Sequence, residues 1–160
     1  MRPSSKPDDP SDQKACRGKA LDLLARREHG RLELQEKLLA RGFDGPCVEL
    51  TLDELADQQL QDDRRFAESY VRARTARGQG PLRILAELRV RMRGESLARA
   101  AVHSGDHDWV DLAARARAKR FGLAPPDSFQ DQARQRRFLE SRGFTSDHIK
   151  GALDLAADSD

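Results

Sequence analysis

Residues that could carry out catalysis are scattered along this chain of 160 residues and do not combine into a catalytic set. Gly18-Lys19-Ala20 lacks both the glycine-rich approach and the hydroxyl of a phosphate-binding loop. Gly78-Gln79-Gly80 follows a predicted helix rather than a strand, so we interpret it as a helix end and not as a dinucleotide-binding turn. His103 and His107 are four residues apart, as two ligands on one helix face would be, but Ser104-Gly105-Asp106 between them is predicted to form a turn. We therefore expect no enzymatic activity and no cofactor.

The cysteines and the paired acids do not predict a metal site. Cys16 and Cys47 are the only thiols, and their spacing does not match that of zinc ligands. Two cysteines also make no disulfide framework, so we interpret them as small residues packed between helices. Asp62 and Asp63 could serve a metal or acid–base chemistry, but capping of the following helix explains them more simply. Trp109 falls at helical spacing from later alanines and is interpreted as a core residue.

Charge is the feature that points to a partner. The formal net charge is only +2, but residues 44–63 carry −7 with no Lys or Arg, and residues 64–99 carry +7. Residues 109–142 carry +4 and residues 143–160 carry −3. Surfaces of opposite charge can steer a partner with a complementary charge pattern. Guanidinium groups are suited to contacts with carboxylates and phosphates. Ordinary solvated helix faces are the alternative, and charge alone does not decide between the two.

Composition predicts an almost wholly helical protein. Leu and Ala together number 41, whereas the β-branched residues Val, Ile and Thr number 10. No apolar run approaches the roughly 20 residues needed to cross a bilayer, and the N-terminus has no apolar core of a signal peptide. We expect a cytoplasmic protein with reduced thiols.

The predicted helices repeat along the chain. A shift of 101 residues aligns Leu38, Arg41, Gly42, Phe43, Val48 and Leu52 with Leu139, Arg142, Gly143, Phe144, Ile149 and Leu153. A shift of 50 aligns Gly30, Leu32, Leu34 and Leu38 with Gly80, Leu82, Ile84 and Leu88. Internal repetition of this period is typical of helical repeat proteins. The alternative is one irregular bundle in which the leucine spacing agrees by chance.

The repeats predict an all-α fold of nine helices in three tandem three-helix modules. We expect a disordered tail over residues 1–14, followed by modules over 15–60, 61–105 and 106–160, the last with an insertion near Pro125-Pro126. A module this small is marginally stable alone, so the three should dock on their neighbours. An elongated, curved arrangement is expected.

The middle of the chain resembles a known family. Asp62–Ala67 followed by Gly78–Leu88 is similar to the signature of the RecX regulatory proteins, and Leu34–Phe43 and Phe138–Phe144 match its flanking modules. The resemblance covers about residues 17–155. The chain departs from the family pattern where Val90-Arg91-Met92-Arg93-Gly94-Glu95 follows the fifth helix.

The resemblance implies a non-catalytic regulator of the RecA recombinase, active in DNA repair and SOS control. Such proteins dock in the groove of the RecA–single-stranded-DNA filament, hinder its extension and depress its ATPase, strand-exchange and coprotease activities. Our hypothesis is that five arginines contribute to filament contact: Arg72, Arg74, Arg83, Arg89 and Arg93. The residues interpreted as a structural signature are Asp62, Asp63, Phe66, Gly80, Pro81, Ile84, Leu88, Gly42, Phe43, Gly143 and Phe144.

Two other classes of function stay open. Three-helix units rich in arginine could bind DNA directly through a helix-turn-helix. The acidic block over residues 44–63 would repel phosphate, so weak non-specific DNA binding is easier to accept than sequence recognition. A scaffold of helical repeats is the third class. We expect a monomer without membrane contact.

Overall fold

The computed structural model describes residues 5–159, and within that range the chain forms nine α-helices and no strand, as the composition predicts. The helices are α1 Gln13–Arg26, α2 Arg31–Ala40, α3 Gly45–Asp57, α4 Asp63–Ala76, α5 Pro81–Arg89, α6 Glu95–His103, α7 Trp109–Phe121, α8 Phe129–Ser141 and α9 Ser146–Asp158. Over the same described range, every helix is too short or too polar to cross a membrane.

Side-chain hydrogen bonds cap the starts of several helices. Asp44 accepts a hydrogen bond from the backbone N–H of Cys47 at 2.8 Å, and Pro46 lies in the first turn of α3. Thr145 caps α9 in the same way. Asp62 accepts from the backbone N–H of Arg65 at 3.1 Å at the start of α4. The predicted capping of the helix that follows Asp62 is therefore confirmed.

Hydrogen bonds hold the residues directly before α1. Residues 1–4 of the predicted disordered tail lie outside the described residues. Farther along, the N–H of Asp12 donates to the carbonyl of Asp9, and the N–H of Asp44 donates to the carbonyl of Pro10 at 2.9 Å. Asp12 then caps α1, which begins at Gln13. Main-chain and capping hydrogen bonds therefore connect residues 9–12 to α1 and to the start of α3, and α1 includes the last two residues of the predicted tail.

Two turns repeat after α2 and α8. Gly42 and Gly143 have φ values of +103° and +96°, in the left-handed region that glycine enters without strain. Each ends its helix, and the next residue, Phe43 or Phe144, is buried. The N–H of Phe43 donates to Leu38, and the N–H of Phe144 donates to Leu139. The shift of 101 residues thus corresponds to a repeated helix end.

The chain divides into two compact units. Unit 1 comprises the chain up to Ser69 together with Arg89–Ala98, and unit 2 comprises Tyr70–Leu88 together with the residues from Arg99 onward. The core of unit 1 is a cluster on α1, α2 and α3 that consists of Cys16, Ala20, Leu23, Leu34, Leu38, Phe43, Cys47, Val48, Leu52 and Leu55. Both cysteines are free and buried there, as predicted. Burial and the neighbouring Cys16 raise the pKa of the Cys47 thiol to about 11.

The core of unit 2 lies where α7, α8 and α9 meet. Its buried residues are Ala113, Leu139, Phe144, Ile149, Ala152 and Leu153. Trp109 packs against this cluster while half-buried, in agreement with its interpretation as a core residue. Arg117 is 2% exposed and donates to the carbonyls of Gly122 and Ala124, which ties down the segment before Pro125. Burial lowers the pKa of the Arg117 guanidinium.

Each unit contains a close approach between a glycine before a helix and a turn elsewhere in the chain. In unit 1, a Cβ on Gly30 would lie 2.1 Å from the carbonyl oxygen of Arg91, which also accepts from the N–H of Glu33. In unit 2, the N–H of Gly80 donates to the carbonyl of Arg142 at 2.7 Å. A Cβ on Gly80 would lie 2.5 Å from main-chain atoms of the Gly143–Phe144 turn. We call these the glycine joints.

Candidate functional site

The turn between α5 and α6 is held by one carboxylate in unit 1. Asp63 Oδ2 accepts from the N–H of Arg93 at 3.0 Å, and its Oδ1 accepts from the N–H of Arg31 at 2.9 Å. Gln61 Nε2 also donates to Oδ1. Asp63 therefore joins the starts of α2 and α4 to this turn.

Arg89 and Arg93, two of the predicted contact residues, are exposed in unit 1 but already engaged. Arg89 Nε lies 3.0 Å from both carboxylate oxygens of Glu95, and Arg89 Nη2 lies 2.7 Å from Oε1. This hydrogen bonding raises the pKa of the Arg89 guanidinium. Arg93 Nη2 lies 3.7 Å from Glu49 Oε1. A partner acid would have to compete with these contacts.

The acidic block is partly neutralised within unit 1. Arg31 is 8% exposed, and its Nη2 lies 3.0 Å from Glu49 Oε2 and 2.7 Å from Asp53 Oδ1. Glu54 accepts from Gln13 at 2.9 Å and lies 3.8 Å from Arg17. The −7 of residues 44–63 therefore overstates the free negative charge of α3.

Arg74 and Arg83, also predicted contact residues, converge on Glu87 in unit 2. Arg83 Nε lies 3.3 Å from Glu87 Oε1, and Arg74 Nε lies 3.7 Å from Oε2. Tyr70 donates to Oε2 at 2.5 Å, and the Arg74 guanidinium lies 4.8 Å from the centre of its ring. Burial alone would raise the pKa of Glu87, but the hydrogen bonds from Tyr70 and Arg83 and the charge of Arg74 outweigh it and lower that pKa.

Arg72 differs from the other four predicted arginines. It is exposed on α4, and among the described residues no acid lies within ion-pair distance of its side chain. A partner carboxylate or phosphate could bind it without breaking an existing contact. The structure thus places Arg72, Arg74 and Arg83 in unit 2 and Arg89 and Arg93 in unit 1.

A basic cleft in unit 2 was missed by the sequence reasoning. It has a volume of about 500 Å³ and is lined by the end of α4, one face of α7, and two residues from α8 and the turn that follows it. Five cationic residues line it: Arg77, Arg115, Lys119, Arg120 and Arg142. The apolar part of its lining consists of Ala76, Leu112, Ala116 and Phe138. The net charge of +4 over residues 109–142 indicated a basic surface in this part of the chain. The sequence did not indicate that folding would bring Arg77 and several apolar side chains to the same cleft.

Few of the cleft cations are paired. Arg115 Nε lies 2.8 Å from Asp111 Oδ2. Arg142 lies 5.1 Å from the ring centre of Phe138 and Arg120 lies 5.5 Å from that of Phe121, both in cation–π geometry. Among residues 5–159, Arg77 and Lys119 have no carboxylate within 4.0 Å. The same range contains no group of three His, Cys, Asp or Glu side chains that could hold a metal ion.

The helices and charged faces define a class of protein: an all-helical protein of three-helix modules whose surfaces are suited to binding a partner. Models of the RecX family match the chain in three consecutive segments, as its first three-helix domain over residues 16–55, its second over 62–102 and its third over 106–153. The chain belongs to the RecX family of regulatory proteins.

Curated relatives and solved structures agree with this assignment. The chain is 44% identical over 146 residues to the regulatory protein RecX of Halorhodospira halophila, covering 91% of this chain and 90% of the relative. It is 44% identical over 137 residues to that of Chromohalobacter salexigens, covering 86% and 90%. The crystal structure of RecX from Lactobacillus salivarius superposes with a TM-score of 0.72 at 25% identity, covering 90% of this chain and 97% of that one.

A second crystal structure, of a regulatory protein RecX, superposes with a TM-score of 0.75 at 26% identity, covering 89% of this chain and 73% of that one. The family and the all-helical, three-module fold expected from the sequence are therefore confirmed.

Proposed function

We propose that this protein binds the RecA–single-stranded-DNA filament and inhibits its extension, ATPase, strand-exchange and coprotease activities. It would act in the cytoplasm, without catalysis of its own, in recombination, repair and SOS control. The observation that carries the proposal is the match of all three RecX three-helix domains, in order, along one chain. Exposed arginines support binding to a partner that presents carboxylates or phosphates.

Among the proposed contact residues, Arg72 should contribute most to binding. Among the described residues, its guanidinium has no acidic partner. An ion pair with a bound partner would therefore add to the affinity without the cost of breaking an existing pair. Arg83 must be shared with Glu87 and Arg89 with Glu95, so a partner acid gains less from each. We therefore rank Arg72 first, then Arg83 and Arg74, then Arg89 and Arg93.

An ATPase assay tests the function directly. The full chain is added in sub-stoichiometric amounts to RecA assembled on single-stranded DNA, and ATP hydrolysis is followed. We expect hydrolysis to fall as filaments lose subunits that are not replaced. Unchanged hydrolysis at every ratio would contradict the proposal.

Charge reversal tests the contact residues. Arg72→Glu should weaken inhibition roughly tenfold, because it replaces an attractive contact by a repulsive one. Lys150→Glu, an equally large change at an exposed position of α9, is the matched control and should leave inhibition unchanged. Arg83→Glu and Arg89→Glu should each have a smaller effect. Full inhibition by a correctly folded Arg72→Glu protein would remove Arg72 from the contact surface.

Direct DNA binding is the second candidate function, supported by the basic cleft of unit 2. A protein that acts on DNA by itself should bind naked DNA tightly when RecA is absent, with affinity that falls steeply as salt rises. A filament regulator should bind naked DNA weakly. A scaffold of helical repeats should neither bind naked DNA nor inhibit hydrolysis.

A further inference from the structure

The basic cleft of unit 2 combines two chemistries that are usually separate on a protein surface. Its rim carries five cationic side chains, and its floor is formed by Leu112, Ala116 and Phe138. We propose that it is a docking site for an acidic peptide segment that carries one apolar anchor side chain. None of the five arginines proposed for filament contact lines this cleft, so the site is additional to that surface.

The rim is suited to carboxylates because much of its charge is available. Arg77 and Lys119 have no acidic partner within ion-pair distance among the described residues. Arg120 and Arg142 each lie over an aromatic ring in cation–π geometry, and no carboxylate among residues 5–159 lies within 4.0 Å of either guanidinium. Arg115 is held by Asp111 from its own helix, one turn earlier. A segment with several carboxylates can therefore pair with cations on both sides of the cleft.

The floor is suited to an apolar side chain. A half-open cleft of about 500 Å³ is large enough to take an apolar side chain, and its apolar lining includes the short side chain of Ala116 beside Leu112 and Phe138. Anchors of this type dominate binding when a charged rim surrounds them, because the rim excludes water around the buried contact. An acidic segment without an anchor should bind much more weakly.

The aromatic geometry favours a peptide over single-stranded nucleic acid. Nucleobases are held on such surfaces by stacking on exposed aromatic rings. Phe138 is the aromatic residue that lines the cleft, and Arg142 lies over its ring at 5.1 Å. Phe121 packs perpendicular to the same ring at 5.3 Å. The ring is therefore engaged by its neighbours, while its edge still offers apolar contact.

Binding of synthetic peptides to the full chain tests the proposal without RecA, so its outcome is separate from that of the filament assay. A fluorescent Glu-rich peptide with one central Leu is titrated with protein and followed by anisotropy. The comparison probes are the same peptide with Leu replaced by Ser, the same peptide with Glu replaced by Gln, and an oligo-dT of matched charge. We expect the acidic Leu peptide to bind most tightly, with each change weakening binding by roughly tenfold.

Variants locate the site. Arg77→Glu and Lys119→Glu should each weaken peptide binding, whereas Arg137→Glu, at an exposed position of α8 outside the cleft, should not. Ala116→Leu should fill the floor without changing charge, and so weaken the Leu peptide but not the Ser peptide. Circular dichroism checks that each variant is folded.

Three results would overturn the proposal. Peptide affinity could be unchanged in Arg77→Glu, Lys119→Glu and Ala116→Leu, which would place binding elsewhere. The Leu and Ser peptides could bind equally, which would leave no role for the floor. Oligo-dT could bind more tightly than the acidic peptide and displace it, which would make the cleft a nucleic-acid site.

Discussion

Asp63 joins three segments of unit 1 through one carboxylate, which accepts hydrogen bonds from Arg31, Gln61 and Arg93. The sequence predicts a helix start at Asp62-Asp63, and the Asp62 carboxylate does cap that helix by accepting a hydrogen bond from the backbone N–H of Arg65. The contacts of Asp63 with residues about thirty positions away could not be predicted, because they depend on how separate helices meet. Local chemistry is readable from the sequence, whereas a partner distant in the chain is not.

Replacement of Asp63 should destabilise unit 1. Asp63→Ala leaves the N–H groups of Arg31 and Arg93 without their acceptor, at a cost of about 1–3 kcal/mol in the free energy of unfolding. Urea unfolding followed by circular dichroism measures the change. Asp57→Ala, an exposed acid at the end of α3, should change that free energy by less than about 0.5 kcal/mol. If the two substitutions changed the free energy of unfolding equally, the hydrogen bonds of Asp63 would not stabilise unit 1 as proposed.

His29 makes the stability of unit 1 sensitive to pH. It is 2% exposed, its Nδ1–H donates to the carbonyl of Arg27, and its Nε2 accepts from Lys37 Nζ at 3.0 Å. Burial lowers the pKa of His29 below its usual 6.5, and the charges of Arg27 and Lys37 lower it further. A proton on Nε2 would face the ammonium group directly, so the folded protein holds this ring neutral.

The free energy of unfolding should therefore fall as the pH drops below about 6.5, since the unfolded chain takes up a proton that folded His29 refuses. His29→Gln should flatten this dependence between about pH 5 and pH 7, which urea titrations across that range would measure. Burial also lowers the pKa of His148, so some dependence should remain. A pH profile identical to that of the wild-type protein would exclude His29 as a source.

At the scale of the element, the helix ends and helix faces follow from the sequence, but the glycine joints do not. Pro81 predicts the start of α5, and the Gly42 and Gly143 turns were visible as repeats. Position 80 has no room for a side chain because main-chain atoms of Gly143 and Phe144 lie next to it. The sequence cannot show which main-chain segment will pack against a given residue. The shift of 50 residues aligned Gly30 with Gly80, but only the structure shows that both glycines lie against main-chain atoms of another segment.

A pair of glycine substitutions tests the unit 2 joint. Gly80→Ala should destabilise the protein by about 1–3 kcal/mol, because its Cβ would lie 2.5 Å from main-chain atoms that cannot easily move. Gly18→Ala lies within α1 with no atom near its Cβ and should stabilise by about 0.5–1 kcal/mol. Thermal and urea unfolding of the two variants give the signs. The joint would be excluded as a tight contact if Gly80→Ala were neutral.

At the scale of the whole molecule, the charge blocks counted along the sequence describe only part of the charge that the folded surface offers to a partner. Part of the +7 of residues 64–99 is paired with acids outside that block, since Arg65 lies 3.2 Å from Glu28 and Arg93 lies 3.7 Å from Glu49. Arg31 likewise neutralises part of the acidic block. The basic cleft draws instead on α7 and its neighbours. Block sums count charges along the chain, whereas available charge depends on which side chains folding places together.

The protein is expected to be a monomer. Sedimentation equilibrium over a range of concentrations should give one species of about the chain mass of 18.0 kDa. Charged faces of both signs could still pair two copies, and such pairing would be weakened by salt. A mass that doubles with concentration and returns to the chain mass at high salt would contradict this expectation and identify charge as its cause.

The glycine joints have a consequence for how such a protein can change over time. Each joint is made mainly between backbone atoms, so it depends mainly on glycine positions: Gly30 in unit 1, and both Gly80 and Gly143 in unit 2. Replacements can then accumulate around it without a compensating change across the contact. A duplicated module also brings its own connector, with no new side-chain fit to evolve. Because few side chains are involved, we expect such joints to tolerate sequence divergence of the kind seen between this chain and the two solved RecX structures, which are 25–26% identical to it.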